Sequence, residues 1–589
     1  MARQPLFRGN AERLSGARFC VPERVTFAQT IRAYSAAAHS RYHFVQFCLG
    51  VLTSYDSLPY AVARQTIRMK TSALLACVVS IAILLFVFGV AVYRAKTQPI
   101  AHDEALTYEW FLDQGVYNVL RFNAANHILQ TLLAKPIVKA FGVSEFTLRI
   151  PTLFGAAVYL TAVYLLCRKL FGDGLVLLVS TALMVLNPQV MDFMAAARGY
   201  SLGLAGLVVA MYCFARLAGQ GKFDREDKNW RWGSATASIA LALAVAANFT
   251  NIVPATCMAL CFTLAALGRP AGVLWFQDRK VRDFAMYFIF PGIVVGFCIL
   301  WPFLIQARLA QSKIQLAKAS DAIRDIFNAS FLYRWTEDLF NDVGAIAAPA
   351  GSWQERATDL GVSVIFPLLF CMTLIGLLPA LRADEESHKV QQARCRIFAG
   401  TAVTSVVLTV ALHFLIKVNY PFSRYCLFVI PLFTIGGMLA AREISSRFPS
   451  PLLKGAGLLL AAIIVSDYAL AIPTKGFRYN AYDSIALELY QAIEHDAATH
   501  GLTKVRVGGT WWYEPEVNFY RRRYGADWLL PYDIKDRSYF WETPNSLVPA
   551  DYDYFVFIPA SDPGLKGPRA RTIFHDDKTQ VTIIALARQ

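Results

Sequence analysis

Apolar positions along this chain fall in long uninterrupted blocks, the pattern of helices immersed in lipid. A bilayer core needs about 20 predominantly apolar residues in a helix. Eleven stretches meet or approach that length, at about 72–93, 148–167, 174–191, 199–215, 233–247, 251–268, 284–305, 361–381, 397–416, 425–441 and 455–472. The first contains no charged residue. A twelfth candidate, 126–141, has another pattern. Its apolar residues at 128, 129, 132, 133, 136, 137, 140 and 141 form one helical stripe, with His127, Thr131, Lys135 and Lys139 on the other face. At 1.5 Å per residue it reaches only about 24 Å. It is expected to lie in the membrane interface with its lysines snorkelling.

Excluding that segment sets the side of every later loop. Loops then placed inside carry eighteen Lys or Arg, whereas the short outside loops offer Arg198, Lys417 and Arg424. Positive charge collects on the cytoplasmic side, so the N-terminus is expected inside and the C-terminus outside. Three outer segments follow: 94–147, 306–358 and 473–589. The second contains an amphipathic run, QARLAQSKIQLAKASDAI, and could fold as a lid. The third turns soluble in composition. YDSIALELYQAIEHDAA reads as a helix, and KVRVGG, DYDYFVFIPA and TQVTIIALA read as strands. The expected architecture is a polytopic α-helical membrane protein of eleven spans with interfacial helices, plus a small periplasmic α/β domain. Residues 1–71 form a cytoplasmic tail or an over-called start, residues 72–472 the transmembrane domain and residues 473–589 the periplasmic domain.

Composition agrees. The chain is 56% hydrophobic and 17% charged, with a mean hydropathy of +0.40, against about 25% charged residues in soluble domains. A purely soluble enzyme is excluded. The net charge of +15 follows from cytoplasmic loops, so nucleic acid is not an expected partner. The eleven cysteines include no CxxC pair and read as apolar fillers. The first 68 residues lack the apolar core and cleavage site of a signal peptide, and their His39 and His43 lack a third metal ligand.

The candidate chemistry lies in the first outer loop. His102, Asp103, Glu104 and His127 share it, just beyond the first span. Carboxylates and imidazoles there suit general-base or metal-assisted chemistry on a membrane-borne substrate, although an acidic pair also favours a helix N-terminus for purely structural reasons. Arg198, Lys417 and Arg424, the basic residues of the short outer loops, are placed near the membrane plane, where cations can meet an anion. Tyr420 and Tyr425 there also fit an interfacial aromatic belt.

The run HDEALTYEW, then ANHILQTLLAKPIVKAFGVSEFTLRIPTLFGAAVYLTAVYLLCRKLFG, AAARGYSLGLAGL and PFSRYCLFVIPLF resembles the GT-C glycosyltransferases. The similarity is greatest to the branch of protein O-mannosyltransferases, lipid A aminoarabinose transferases and rhizobial galacturonosyltransferases. It covers roughly residues 72–441 and, more loosely, the C-terminal segment with GTWWYEPEVNFYRRRY. The resemblance implies Asp103 as the catalytic base, with Glu104 beside it. It implies His127, Tyr200 and Tyr420 in substrate binding, and Arg198, Lys417, Arg424 and Tyr425 on the donor phosphate. Ile128 departs from the family, where many members carry Pro after the His. No cofactor is called for with certainty. A divalent cation at His102, Glu104 or His127 stays open.

The implied activity is inverting transfer of a sugar from a polyprenyl-phosphate carrier to a cell-envelope acceptor, either lipopolysaccharide or lipid A, another glycolipid, or protein. The implied location is the periplasmic face of a bacterial inner membrane. Two other classes share the gross pattern. A lipid or polysaccharide transporter or flippase would carry ionisable residues at mid-membrane, whereas here His413 and Asp467 lie near span ends. A non-catalytic polysaccharide-assembly subunit could keep the fold, and loss of the first-loop Asp would have favoured it.

Overall fold

The computed structural model describes residues 60–113, 126–220, 224, 226–267, 279–307, 374, 386–416, 423–447, 450–470, 481–532, 552–558 and 570–586. The expected span 361–381, the lid segment 306–358 and the N-terminal histidines lie outside those residues, apart from residues 306–307 and 374. The chain divides into two units, Met1–Thr71 and Ser72–Gln589. Of the first, only the helical residues from Tyr60 onward are described.

Helices dominate. α1 (Tyr60–Thr97) leads to the short α2 (His102–Thr107), which continues into a π turn at Tyr108–Leu112. Then come α3 (Ile128–Phe141), α4 (Glu145–Phe171), α5 (Leu175–Val185), α6 (Pro188–Ala195), α7 (Tyr200–Leu217), α8 (Lys228–Ala247) and α9 (Ile252–Leu267). α10 (Arg279–Phe284) passes through a π turn into α11 (Phe290–Ala307), and α12 (Glu386–Ile416), α13 (Val429–Arg447) and α14 (Pro451–Leu470) follow. Among the described residues, six helices are long and apolar enough to cross a membrane. A seventh candidate is the pair α5–α6, bent by 59°. The continuous span expected at 174–191 is therefore broken. Pro188 has no N–H to donate and disfavours a helical residue before it. Asn187 leaves the helix and its side chain caps α6, accepting from the N–H groups of Gln189 and Val190 at 3.0 and 3.1 Å.

α3 carries its polar face inward. His127, Gln130 and Thr131 are buried, whereas Leu133 and Phe141 are exposed. Elsewhere on the bundle Leu74, Phe86, Phe154 and Leu415 also face outward. An exterior richer in large apolar side chains than water tolerates is the surface that lipid would cover. Arg94 and Asp192 form a buried ion pair, with Arg94 Nη2 2.6 Å from Asp192 Oδ1. Both residues fall just past the ends of expected spans, so the sequence pattern does not reveal the pair.

The C-terminal segment holds α15 (Ala486–Thr499), α16 (Glu514–Arg523) and strands β1 (Val507–Gly509), β2 (Tyr554–Phe557), β3 (Ala570–His575) and β4 (Thr582–Leu586). The sheet order is β1-β2-β4-β3, with β1 parallel to β2 and the other pairs antiparallel. β1, β2 and β4 match expected strands, and β3 is an edge strand that the sequence reading did not separate. Gly509 has φ +129°, and a Cβ there would lie 1.8 Å from the Val556 carbonyl oxygen, so only glycine fits. This segment shares one hydrophobic core with residues around α2, α4 and the turn after α6. Ile100, Ala105, Tyr108, Leu148 and Ala197 pack with Tyr490, Val517, Phe519 and Tyr520.

Candidate active site

The site is built where α2 meets the turn after α6 and the turn before α13. Glu104 organises it. Its carboxylate is fully buried against Arg149 of α4, with Arg149 Nε to Oε1 at 3.0 Å and Nη2 to Oε2 at 2.5 Å. Oε2 also accepts the Ala101 N–H at 2.9 Å, and Oε1 the Ala197 N–H. Arg149 donates in addition to the carbonyls of Ala95, Gln98 and Pro99. One ion pair thus fastens the end of α1, the start of α2 and the turn that carries Arg198.

With Glu104 pointing into that brace, its neighbour Asp103 faces the other way, because adjacent helical residues project about 100° apart. The Asp103 carboxylate is 15% exposed and sits between two guanidiniums, Arg424 Nη1 at 2.9 Å and Arg198 Nη2 at 3.4 Å. Arg198 also donates to the Asp103 carbonyl at 3.2 Å. Burial alone would raise the Asp103 carboxyl. Arg198 and Arg424, helped by His102 and His127, outweigh it and hold the group below the usual carboxylate range.

His127 caps α3 inside the protein. Burial, then the charge of Arg198, pushes its imidazole down to about 3, so it is neutral. Its Nδ1–H donates to the Ala247 carbonyl at 3.1 Å, which leaves Nε2 as a buried acceptor without a partner among the described residues. Tyr200 tilts against the same imidazole, with ring centroids 5.0 Å apart. Gly199 makes this approach possible, because a Cβ there would stand 1.8 Å from the Ala247 oxygen that His127 uses. His102 is also buried, and burial lowers it despite neighbouring Asp103. Its Nδ1–H donates to the Trp512 carbonyl at 2.6 Å.

The structure therefore brings Asp103, Arg198, Arg424, His127 and Tyr200 to one place and sets Glu104 apart. Both Glu104 oxygens are occupied, so its expected catalytic or metal-binding role has no open oxygen to work with. Of His102, Nδ1 is engaged by the Trp512 carbonyl. Among the described residues, no group of three or more His, Cys, Asp or Glu is placed to hold a metal ion. Lys417 and Tyr420 lie outside the described residues, and of Tyr425 only the backbone is described. Sequence reasoning assigned no role to Arg149, Asp483 or Trp512. A signal existed for Arg149, an arginine at the second position of an expected span, where an ionisable group is costly unless paired.

No protein-family model matches the chain, and no curated protein matches it. Among solved structures the chain is similar to ArnT from Cupriavidus metallidurans in the apo state, at 13% identity over 86% of this chain and 97% of that one, TM-score 0.45. The same protein bound to undecaprenyl phosphate gives 14% identity, the same coverage and TM-score 0.43. Arabinofuranosyltransferase AftD from Mycobacteria is similar at 16% identity over 88% of this chain and 40% of that one, TM-score 0.42.

Proposed function

We propose that this protein is a membrane glycosyltransferase that moves a sugar from a polyprenyl-phosphate carrier to a hydroxyl of a cell-envelope acceptor, with inversion. The observation that carries this reading is the Asp103 carboxylate held between the guanidiniums of Arg198 and Arg424. The three residues come from separate segments and assemble a general base and an anion cradle at one point.

Asp103 accepts the proton of the acceptor hydroxyl. That oxygen attacks the anomeric carbon, and the bond from that carbon to the phosphate oxygen breaks with its electron pair on the leaving polyprenyl phosphate. Arg198 and Arg424 take up the developing charge by charge-assisted hydrogen bonds. The same two arginines make Asp103 a weak base in the empty site. An arriving phosphate competes for them, and burial then drives the Asp103 carboxyl upward, so the base strengthens when the donor is present. The neutral His127, with its Nε2 acceptor, suits a sugar hydroxyl, and Tyr200 braces it. Glu104 positions the loop rather than reacting.

Arg424 separates this reading from an arginine that only snorkels. Arg424→Lys keeps the charge but loses the fork that grips two phosphate oxygens. It should weaken binding of undecaprenyl phosphate and slow transfer, and Arg424→Ala should slow transfer by about 10²–10³-fold. Equal carrier affinity in wild type and both variants would remove Arg424 from the site. Mass spectrometry of envelope glycolipids with and without the protein then identifies sugar and acceptor from the one missing unit.

In this reading the chain has eleven spans, with residues 72–472 in the membrane and residues 473–589 on the periplasmic side of an inner membrane. The eighteen-to-three asymmetry of Lys and Arg between inner and short outer loops supports that arrangement. A reporter active only in the periplasm and fused after Gln589 should be active. Activity of a cytoplasm-only reporter at that point would put Asp103 on the wrong side for carrier-borne sugars.

A further inference from the structure

We propose that Asp483 and Glu516, two buried carboxyl groups of the C-terminal segment, form a single-proton latch that positions Asp103. The contacts form a closed ring around the residue next to the base. Asp483 Oδ2 accepts the His102 backbone N–H at 2.9 Å, and Oδ1 accepts the Trp512 indole N–H at 3.1 Å. The Trp512 carbonyl accepts from His102 Nδ1 at 2.6 Å. The His102 and Trp512 rings stack, with centroids 4.7 Å apart and planes at 20°. Two residues earlier, the Ile100 N–H donates to the Tyr520 hydroxyl at 3.0 Å. The backbone leading into Asp103 is therefore held by a segment some 380 residues away.

Glu516 is fully buried, with its side chain in hydrogen-bond contact with that of Asp483. Apart from the Asp483 carboxyl, neither of its oxygens has a hydrogen-bond partner among the described residues. A carboxylate without donors, beside another carboxylate, does not stay ionised inside a protein. Asp483, with two N–H donors, takes the negative charge, and Glu516 keeps the proton. The groups facing the pair reinforce this. Asp103 and His102 come from α2, Asp103 adds negative charge to both carboxyls, and the buried Tyr532 hydroxyl is within electrostatic reach of both Glu514 and Glu516. Burial, first, and the neighbouring carboxylate, second, push Glu516 well above its ordinary value, and burial pushes Asp483 up to about 7.

The sign follows. The latched pair binds a proton that the open pair, exposed to water, releases at ordinary carboxyl values. Latching is strongest below those values and weakens as pH rises, until the latched pair itself gives up the proton. Over that range, opening releases one proton, so protection should fall about tenfold per pH unit. A base displaced by about 1 Å costs roughly 10²-fold in rate, so transfer should show an alkaline limb in kcat with carrier affinity little changed.

The catalytic half of the proposal rests on Asp103 being the base, whereas the latch itself does not. Hydrogen exchange on the full-length protein in nanodiscs tests the latch through peptides covering 98–112, corrected for intrinsic exchange. Wild-type protection should fall with the one-proton slope between about pH 5 and the latched ionisation. Glu516→Gln, which cannot ionise and still presents a donor to Asp483, should remove the slope. Asp483→Asn, which turns an N–H toward a donor, should lower protection at every pH. Identical profiles for wild type and Glu516→Gln would overturn the latch. If that variant does not fold, pH-independent protection in the wild type overturns it equally. In transfer assays the alkaline limb should move to higher pH in Glu516→Gln, and an unmoved limb would separate the latch from the base. A wild type that transfers no sugar at any pH would instead refute the proposed function and leave the exchange result standing.

Discussion

Asp103→Asn should lower the turnover of sugar transfer by about 10²–10⁴-fold, the usual contribution of a positioned general base. The substitution keeps the shape of the side chain and removes the oxygen that takes the proton. It should act oppositely on the carrier. In the wild type the carboxylate occupies Arg198 and Arg424 at 3.4 and 2.9 Å, so an incoming phosphate must displace it. The neutral amide competes less, and undecaprenyl phosphate should bind at least as tightly. Single-turnover rates and carrier affinity, measured on the same preparation, check both effects. A variant that loses rate and carrier affinity together would make Asp103 a brace for the arginines. One with unchanged turnover would leave it a surface carboxylate at a helix start.

Arg149→Met, on α4, should be the most destabilising single change at the site. Both Arg149 and Glu104 side chains are fully buried, and removing one partner of such a pair costs about 3–5 kcal/mol, because the other charge is left unpaired in a low dielectric. The thermal unfolding midpoint of the detergent-solubilised protein should fall accordingly. Adding Glu104→Gln to Arg149→Met removes the stranded charge and should recover part of the loss, so the double-mutant cycle shows coupling. Additive losses would mean that the two side chains do not act as a unit. Because the pair fastens residues 95–104 to the turn at Ala197, folded Arg149→Met should also transfer sugar more slowly than its stability alone accounts for.

The comparison of these two neighbours shows where local sequence stops being informative. Asp103 and Glu104 are adjacent carboxylates, and no pattern in AHDEALTYEW tells one from the other. Their roles separate only when a helix turns them about 100° apart, one toward Arg149 and the other toward Arg198 and Arg424. The break at Asn187–Pro188 carried a readable signal in its proline, but its 59° bend is set by packing. α16 carried signals too, with Pro515 near its start, Glu514 and Glu516 in the first turn and three arginines at its end. β3 gave none, because an edge strand with half-exposed positions has no clean alternation.

What the sequence by itself determined is what depends on local periodicity and bulk composition. The apolar runs are long enough for membrane helices, the stripe of 126–141 marks a short helix with a polar face, and three C-terminal runs alternate as strands. Asp103 stood out as a candidate because it lies in an ionisable cluster just beyond an apolar run. Tertiary structure alone decided which side chains meet. Asp103, Arg149, Arg198, Arg424 and Asp483 lie up to about 380 residues apart, and the ion pairs and hydrogen bonds joining them are long-range contacts that leave no trace in the spacing of either partner. Burial then assigns their charge states, since a carboxyl in a low dielectric is governed by the donors and cations that packing places around it.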